Sequence, residues 1–141
     1  MATVQDIQDA LIAKLSAALP ELTVEAFPDD PGEYELLHPL GAALVQYDGS
    51  SYSGNKVSNG AVVQVRTLRF TVVYLMRSLR DSSGCFALLE RGAAALCGLC
   101  IPGALTAGVL ISDGFLAEAD GIWTYVQAVE FTTRCAVPNH T

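Results

Sequence analysis

The residues with the most chemical potential in this 141-residue chain are four cysteines, Cys85, Cys97, Cys100 and Cys135. Cys97 and Cys100 form a C-x-x-C. Structural zinc needs four ligands, and thiol redox work needs an exposed, activated thiolate. There is no second C-x-x-C, and His38 and His140 are not grouped with the first. Cys97 also continues an apolar helical stripe. The balance of these features favours inert, buried thiols over a redox or metal centre, since free cysteine packs as a small hydrophobe. No G-x-S-x-G elbow and no glycine-rich phosphate loop is present. Asp29, Asp30, Glu33 and Glu35 cluster in a turn-rich stretch but lack the spacing of a calcium loop. No enzyme reading, and no metal or cofactor, follows from these residues.

The remaining chemistry is charge. Arg66, Arg69, Arg77 and Arg80 hold half of the eight basic residues within fifteen positions. They read either as sheet-edge charge that blocks wrong pairing, or as a positive strip facing an acidic neighbour, including another copy of the chain. The chain as a whole carries a formal charge of −7, which argues against nucleic-acid binding. Only 16% of residues are charged, below the roughly 25% of an average soluble domain, so partner chains are expected to cover part of the surface.

The length suits one domain, residues 1–141, with a core that needs no disulfide staple. The first twenty residues hold Asp6 and Asp9 and no basic leader region, so no signal peptide is expected. Residues 92–111 lack charge over membrane-span length, but Pro102 and four glycines favour a helix end, a turn and a strand.

Thr3, Asp6, Ile7, Leu11 and Leu15 predict an amphipathic helix over 4–19. Strands are expected at 22–27 and 41–47, separated by a turn-rich stretch with room for one helical turn at 33–37. Residues 48–60, DGSSYSGNKVSNG, read as a flexible loop. A long strand follows from Ala61 to Arg77. Its even positions from Leu68 are apolar, its odd positions partly so, and its first half is more polar. Fully extended it would reach roughly 55 Å, whereas a body of this length spans under about 40 Å. A second helix over 84–98, capped by Ser82 or Ser83, precedes strands at 105–118 and 122–135. Asp120-Gly121 marks a hairpin between these strands. Trp123 is expected in the core, and residues 136–141 as a frayed tail. The fold class is α+β: a mixed, mainly antiparallel sheet of about five strands against two helices, with a long strand or hairpin arm.

Three successive patterns carry a resemblance: H-P-x-G-A from His38, Q-x-R-T-L-R-F from Gln64 and D-G-x-W from Asp120. With the segments 22–52, 60–80 and 120–131 around them, the chain resembles the tail-terminator, or tail-completion, family of Mu-like contractile-tailed phages and prophages. The resemblance implies a non-enzymatic virion protein without cofactor, assembled in the host cytoplasm. It implies a homo-oligomeric ring, six-membered in the family, that caps the head-proximal end of the tail tube. The tube protein, the sheath and the neck or head-completion proteins are the implied partners, with no nucleic-acid or membrane contact. Under that resemblance the overhanging strand, with its hairpin neighbour, extends into an adjacent subunit or lines the ring. Tyr52 would anchor the 48–60 loop, Lys56 would add a charge contact, and Arg66, Arg69 and Arg77 would form the positive strip. Another neck adaptor, or a small thiol or metal module on Cys97 and Cys100, are the alternatives.

Overall fold

The structure is a computed structural model that describes residues 2–54, 56–58 and 60–138. Helix α1 spans Val4–Ala18 and α2 spans Cys85–Leu96. The strands are β1 (Thr23–Ala26), β2 (Gly41–Tyr52), β3 (Lys56–Ser58), β4 (Ala61–Met76), β5 (Val109–Ala119) and β6 (Ile122–Pro138). They form one sheet in the order β1-β2-β4-β6-β5, with β3 paired to β4 beyond the end of β2. Only β1 and β2 run parallel; the other pairings are antiparallel. The architecture is α+β.

Helix α1 starts where the sequence places it. Thr3 Oγ1 accepts from the Asp6 amide at 3.1 Å and Asp6 Oδ2 accepts from the Thr3 amide at 3.0 Å, a reciprocal cap. This hydrogen bonding holds the Asp6 carboxyl below its usual range. Ile7, Leu11 and Leu15 are fully buried. Helix α2 differs at its start: its cap is Gly84, not a serine, and a Cβ there would lie 2.2 Å from the Arg80 carbonyl oxygen. Arg91 ties the two helices together. It donates to Ala18 O at 2.8 Å, satisfying a carbonyl at the end of α1, and pairs with Glu21.

Both helices lie on one face of the sheet. Leu68, Phe70, Val72, Tyr74 and Met76 of β4 meet them there, all fully buried, with Ala43 and Val45 of β2 and Val129 and Phe131 of β6. The opposite face is covered over a smaller area: the segment from Phe27 to Leu36, with a 3-10 turn at Pro31–Glu33, packs on Ala42, Leu44 and Val73. The partly apolar odd positions of β4 are thus explained by a strap rather than by a second helical layer.

At the centre of the helix–sheet contact, Tyr74 Oη donates to Gln127 Oε1 at 2.9 Å, and Gln127 Nε2 donates to Leu89 O at 3.1 Å. Burial pushes the Tyr74 phenol well above its ordinary range. Gly92 lets α2 approach this network: a Cβ on it would stand 2.1 Å from the Tyr74 hydroxyl. Gly92→Ala is therefore expected to destabilise the fold by about 1–3 kcal/mol, the usual cost of overpacking. Equilibrium urea unfolding checks this: the midpoint should fall while the slope is unchanged.

Several expectations change. Residues 48–60 are not one open loop, because β2 continues through a bulge at Asp48 to Tyr52 and β3 pairs Lys56–Ser58 with Ala61–Val63. Backbone pairing with β4 places Asp48–Tyr52 and Lys56–Ser58 in the sheet despite their few apolar side chains. Residues 136–138 belong to β6, opposite Ala61–Val63, and 139–141 lie outside the described residues. Trp123 is half-buried and meets Phe115 in a tilted contact, 6.1 Å between ring centres, rather than entering the core cluster. Among the described residues, no helix is long and apolar enough to cross a membrane.

Candidate assembly surface

The 16 residues of β4 extend roughly 50 Å at 3.3 Å per residue. The 15 residues of α1 and 12 of α2 rise only about 22 and 18 Å at 1.5 Å per residue. Helices of this length cannot cover the strand. The part that runs past the helices is an arm: the end of β2 after its bulge, β3, β4 from Ala61 to Thr67 and the last third of β6. The excess length is nonetheless paired within the chain. Every residue of β4 from Ala61 to Met76 has a partner in β6, from Pro138 to Trp123. The excess length is thus satisfied by hydrogen bonding inside the chain, while Tyr52, Val65, Arg134 and Val137 along the arm stay exposed.

Tyr52 and Arg66 face each other across β2 and β4. The Arg66 guanidinium carbon sits 5.6 Å from the centre of the Tyr52 ring, and Tyr52 is 53% exposed. Arg66 Nε donates to Ser50 Oγ at 3.0 Å and Nη2 to Tyr47 Oη at 3.3 Å. Burial raises the Tyr47 phenol pKa, but the Ser50 and Arg66 hydrogen bonds and the guanidinium charge outweigh it, leaving the group below its usual range. Arg69 lies on the other face of β4, beside Asp48, Thr67 and Glu130 in an open cleft of about 330 Å³. Lys56 is placed by its backbone opposite Val63; its side chain lies outside the described residues.

Arg77 stands at the far end of β4. It donates to Leu36 O at 2.9 Å and His38 O at 3.3 Å, pinning the strap. Arg80 lies over Phe86, 5.8 Å from the ring centre. The four arginines therefore form no continuous strip: Arg66 and Arg69 share the arm on opposite faces, while Arg77 and Arg80 belong to the body. Sequence reasoning missed Arg134, an exposed residue paired with Val65 on the same arm face as Arg69. Its signal was the strand alternation of β6 continuing past residue 133.

Two of the sequence patterns have structural explanations. His38 Nδ1 accepts from the amides of Leu40 at 3.2 Å and Gly41 at 3.4 Å, closing the turn into β2. A Cβ on Gly41 would lie 2.3 Å from Leu75 O. Asp120 and Gly121, with φ of 54° and 79°, make the two-residue hairpin turn between Ala119 and Ile122.

Cys97 does not extend the buried stripe of α2. The helix ends at Leu96, and Cys97 and Cys100 are both exposed. Among the described residues no group of three or more His, Cys, Asp or Glu is placed to hold a metal ion. Cys85 is buried, and that burial pushes its thiol up to about 11. Native-state labelling near pH 8 should modify Cys97 and Cys100 first and Cys85 only on unfolding. Mass spectrometry of the labelled peptides over time checks that order.

Residues 11–139 match the family described as Gp37 protein. The chain belongs to the Gp37 protein family. No curated protein matches it by sequence. Among solved structures, a chain from the virion of a native gene transfer agent particle shares the fold, with a TM-score of 0.60 and 11% identity. The match covers 95% of this chain and 98% of that one. The likeness thus extends over the arm as well as the body.

Proposed function

We propose that this Gp37 family protein is a structural component of a phage-like virion, and that within it the protein is the tail terminator. In this reading copies of the chain form a ring on the head-proximal end of the tail tube. The ring stops growth of tube and sheath and presents a surface for the neck proteins.

The observation that carries the reading is the arm. A ribbon paired within the chain extends past the helical layer with Tyr52, Val65, Arg134 and Val137 exposed along it, beside a body that has its own buried core. Such a shape suits a subunit that engages its neighbours without refolding. The fold shared with a chain of a gene transfer agent virion supports a place in a particle of that kind. The sequence resemblance to tail terminators supports the position at the tube end. Assembly surfaces, rather than a catalytic centre, account for the exposed arginines and apolar side chains.

The test uses purified protein and growing tail tubes. Addition of the protein should stop elongation at a defined length, and electron microscopy should show an added disc of density at one tube end. Particles made without this chain should carry tubes of uncontrolled length that fail to join heads. Tubes that keep growing in saturating protein would rule out the terminator role. A protein that binds finished, already capped tails is a neck adaptor instead.

A further inference from the structure

We infer that the arm of one copy docks on the β5 surface of a second copy, a head-to-tail contact that deepens the ring proposal and rests on it. Two independent distributions meet in this pairing. The first is charge. Residues 48–69 and 130–138 hold Lys56, Arg66, Arg69 and Arg134 against Asp48 and Glu130, a formal +2. The rest of the chain holds four basic and thirteen acidic residues, a formal −9. The protein is thus a cationic arm on a strongly anionic body, and the β5 strand carries Asp113 and Glu118 with no basic residue.

The second is apolar exposure. Among the described residues eleven large hydrophobic side chains are exposed, and seven of them fall on β5 and the arm. Val109, Ile111, Phe115 and Leu116 lie on β5; on the arm, Val65 shares the face of Arg69 and Arg134, and Tyr52 and Val137 lie on the face of Arg66. Ile111 and Leu116 are the extra residues at the two register shifts of β5 against β6, and they are 42% and 62% exposed. Bulges of this kind discourage continuous strand addition at a sheet edge. They leave β5 suited to side-chain contact with a preformed partner, through an apolar centre with a charged rim.

The two surfaces adjoin in one sheet: Val109 of β5 pairs with Glu130, which pairs with Arg69. Side by side in one sheet they cannot pack face to face within one molecule, so the face-to-face match is made with a second copy. Because the two patches differ, the contact is heterologous, and repeated it gives a closed ring or an open filament. Opposite charge sets its register and gives it a salt dependence.

The experiment is a charge swap read by analytical ultracentrifugation from 10 μM to 1 mM at low and high salt. One full-length variant carries Arg69→Glu and Arg134→Glu; the other carries Ile111→Lys and Asp113→Lys. Circular dichroism establishes that each is folded, and the milder pair Arg134→Ala and Asp113→Ala replaces any variant that is not. The wild type should self-associate, more weakly at high salt. Each charge-reversed variant alone should associate at least tenfold more weakly, and so should each alanine variant used in its place, by about threefold. An equimolar mixture of the two charge-reversed variants should recover association to within about threefold of wild type, because each has the partner surface the other needs. A wild type that stays monomeric to 1 mM overturns the contact, as do variants that associate like wild type or a mixture that does not recover. Tube-growth assays keep the two proposals apart. Self-association as described, with tubes that elongate regardless, removes the terminator role and leaves the contact standing. Capped tubes with no effect of the substitutions remove the contact and leave the role.

Discussion

The β4–β6 ladder is the interaction on which the rest of this structure depends. Sixteen consecutive residue pairs join the two strands, from Met76 and Trp123 in the body to Ala61 and Pro138 at the tip. A strand rises more than twice as far per residue as a helix. Once the ladder is this long, two helices of ordinary length can cover only part of it. The division into a covered body and an uncovered arm follows from that difference in rise. The change in side-chain character along β4 matches it, since full burial begins at Leu68.

Within the body the helical layer is held at close range. Gly92 brings α2 against Tyr74 and Gln127, and the buried amide and phenol satisfy each other and the Leu89 carbonyl. Arg91 and the Thr3–Asp6 cap fix the ends of α1. On the other face, Arg77 and His38 hold the strap and the turn into β2. Several polar residues that read as candidate surface chemistry are thus structural, and most of the large exposed hydrophobic side chains among the described residues lie on the arm and on β5.

The legible parts of the sequence were those where one local rule acted alone. The reciprocal cap and the spacing of Ile7, Leu11 and Leu15 fixed α1, and Asp120-Gly121 fixed the hairpin. The apolar even positions of β4 located the core face. The sequence was silent where a partner strand, not the residue itself, decides the outcome. Ser50, Ser51 and Ser58 have no strand propensity to display, yet the exposed backbone of β4 recruits them. Arg134 fell inside the expected strand 122–135, but nothing in the sequence marked it as exposed on the arm until β4 is seen to pair beside it. Cys97 failed for a different reason: the stripe of α2 predicts its burial, but the helix stops one residue earlier and turns it outward. Of the candidate contact residues, Tyr52 and Arg66 proved to be neighbours across two strands, whereas Arg77 was placed at the opposite end of β4 from them.

The long ladder also constrains how the chain reaches its native state. Met76 and Trp123 are 47 residues apart, whereas Ala61 and Pro138 are 77 apart, so each further pair closes a larger loop unless the inner pairs already stand. Loop closure therefore favours pairing from the body outward. Contacts this distant in sequence slow folding relative to local ones. By the same argument the tip, whose closure spans the longest loop, gains most from a core that has already set.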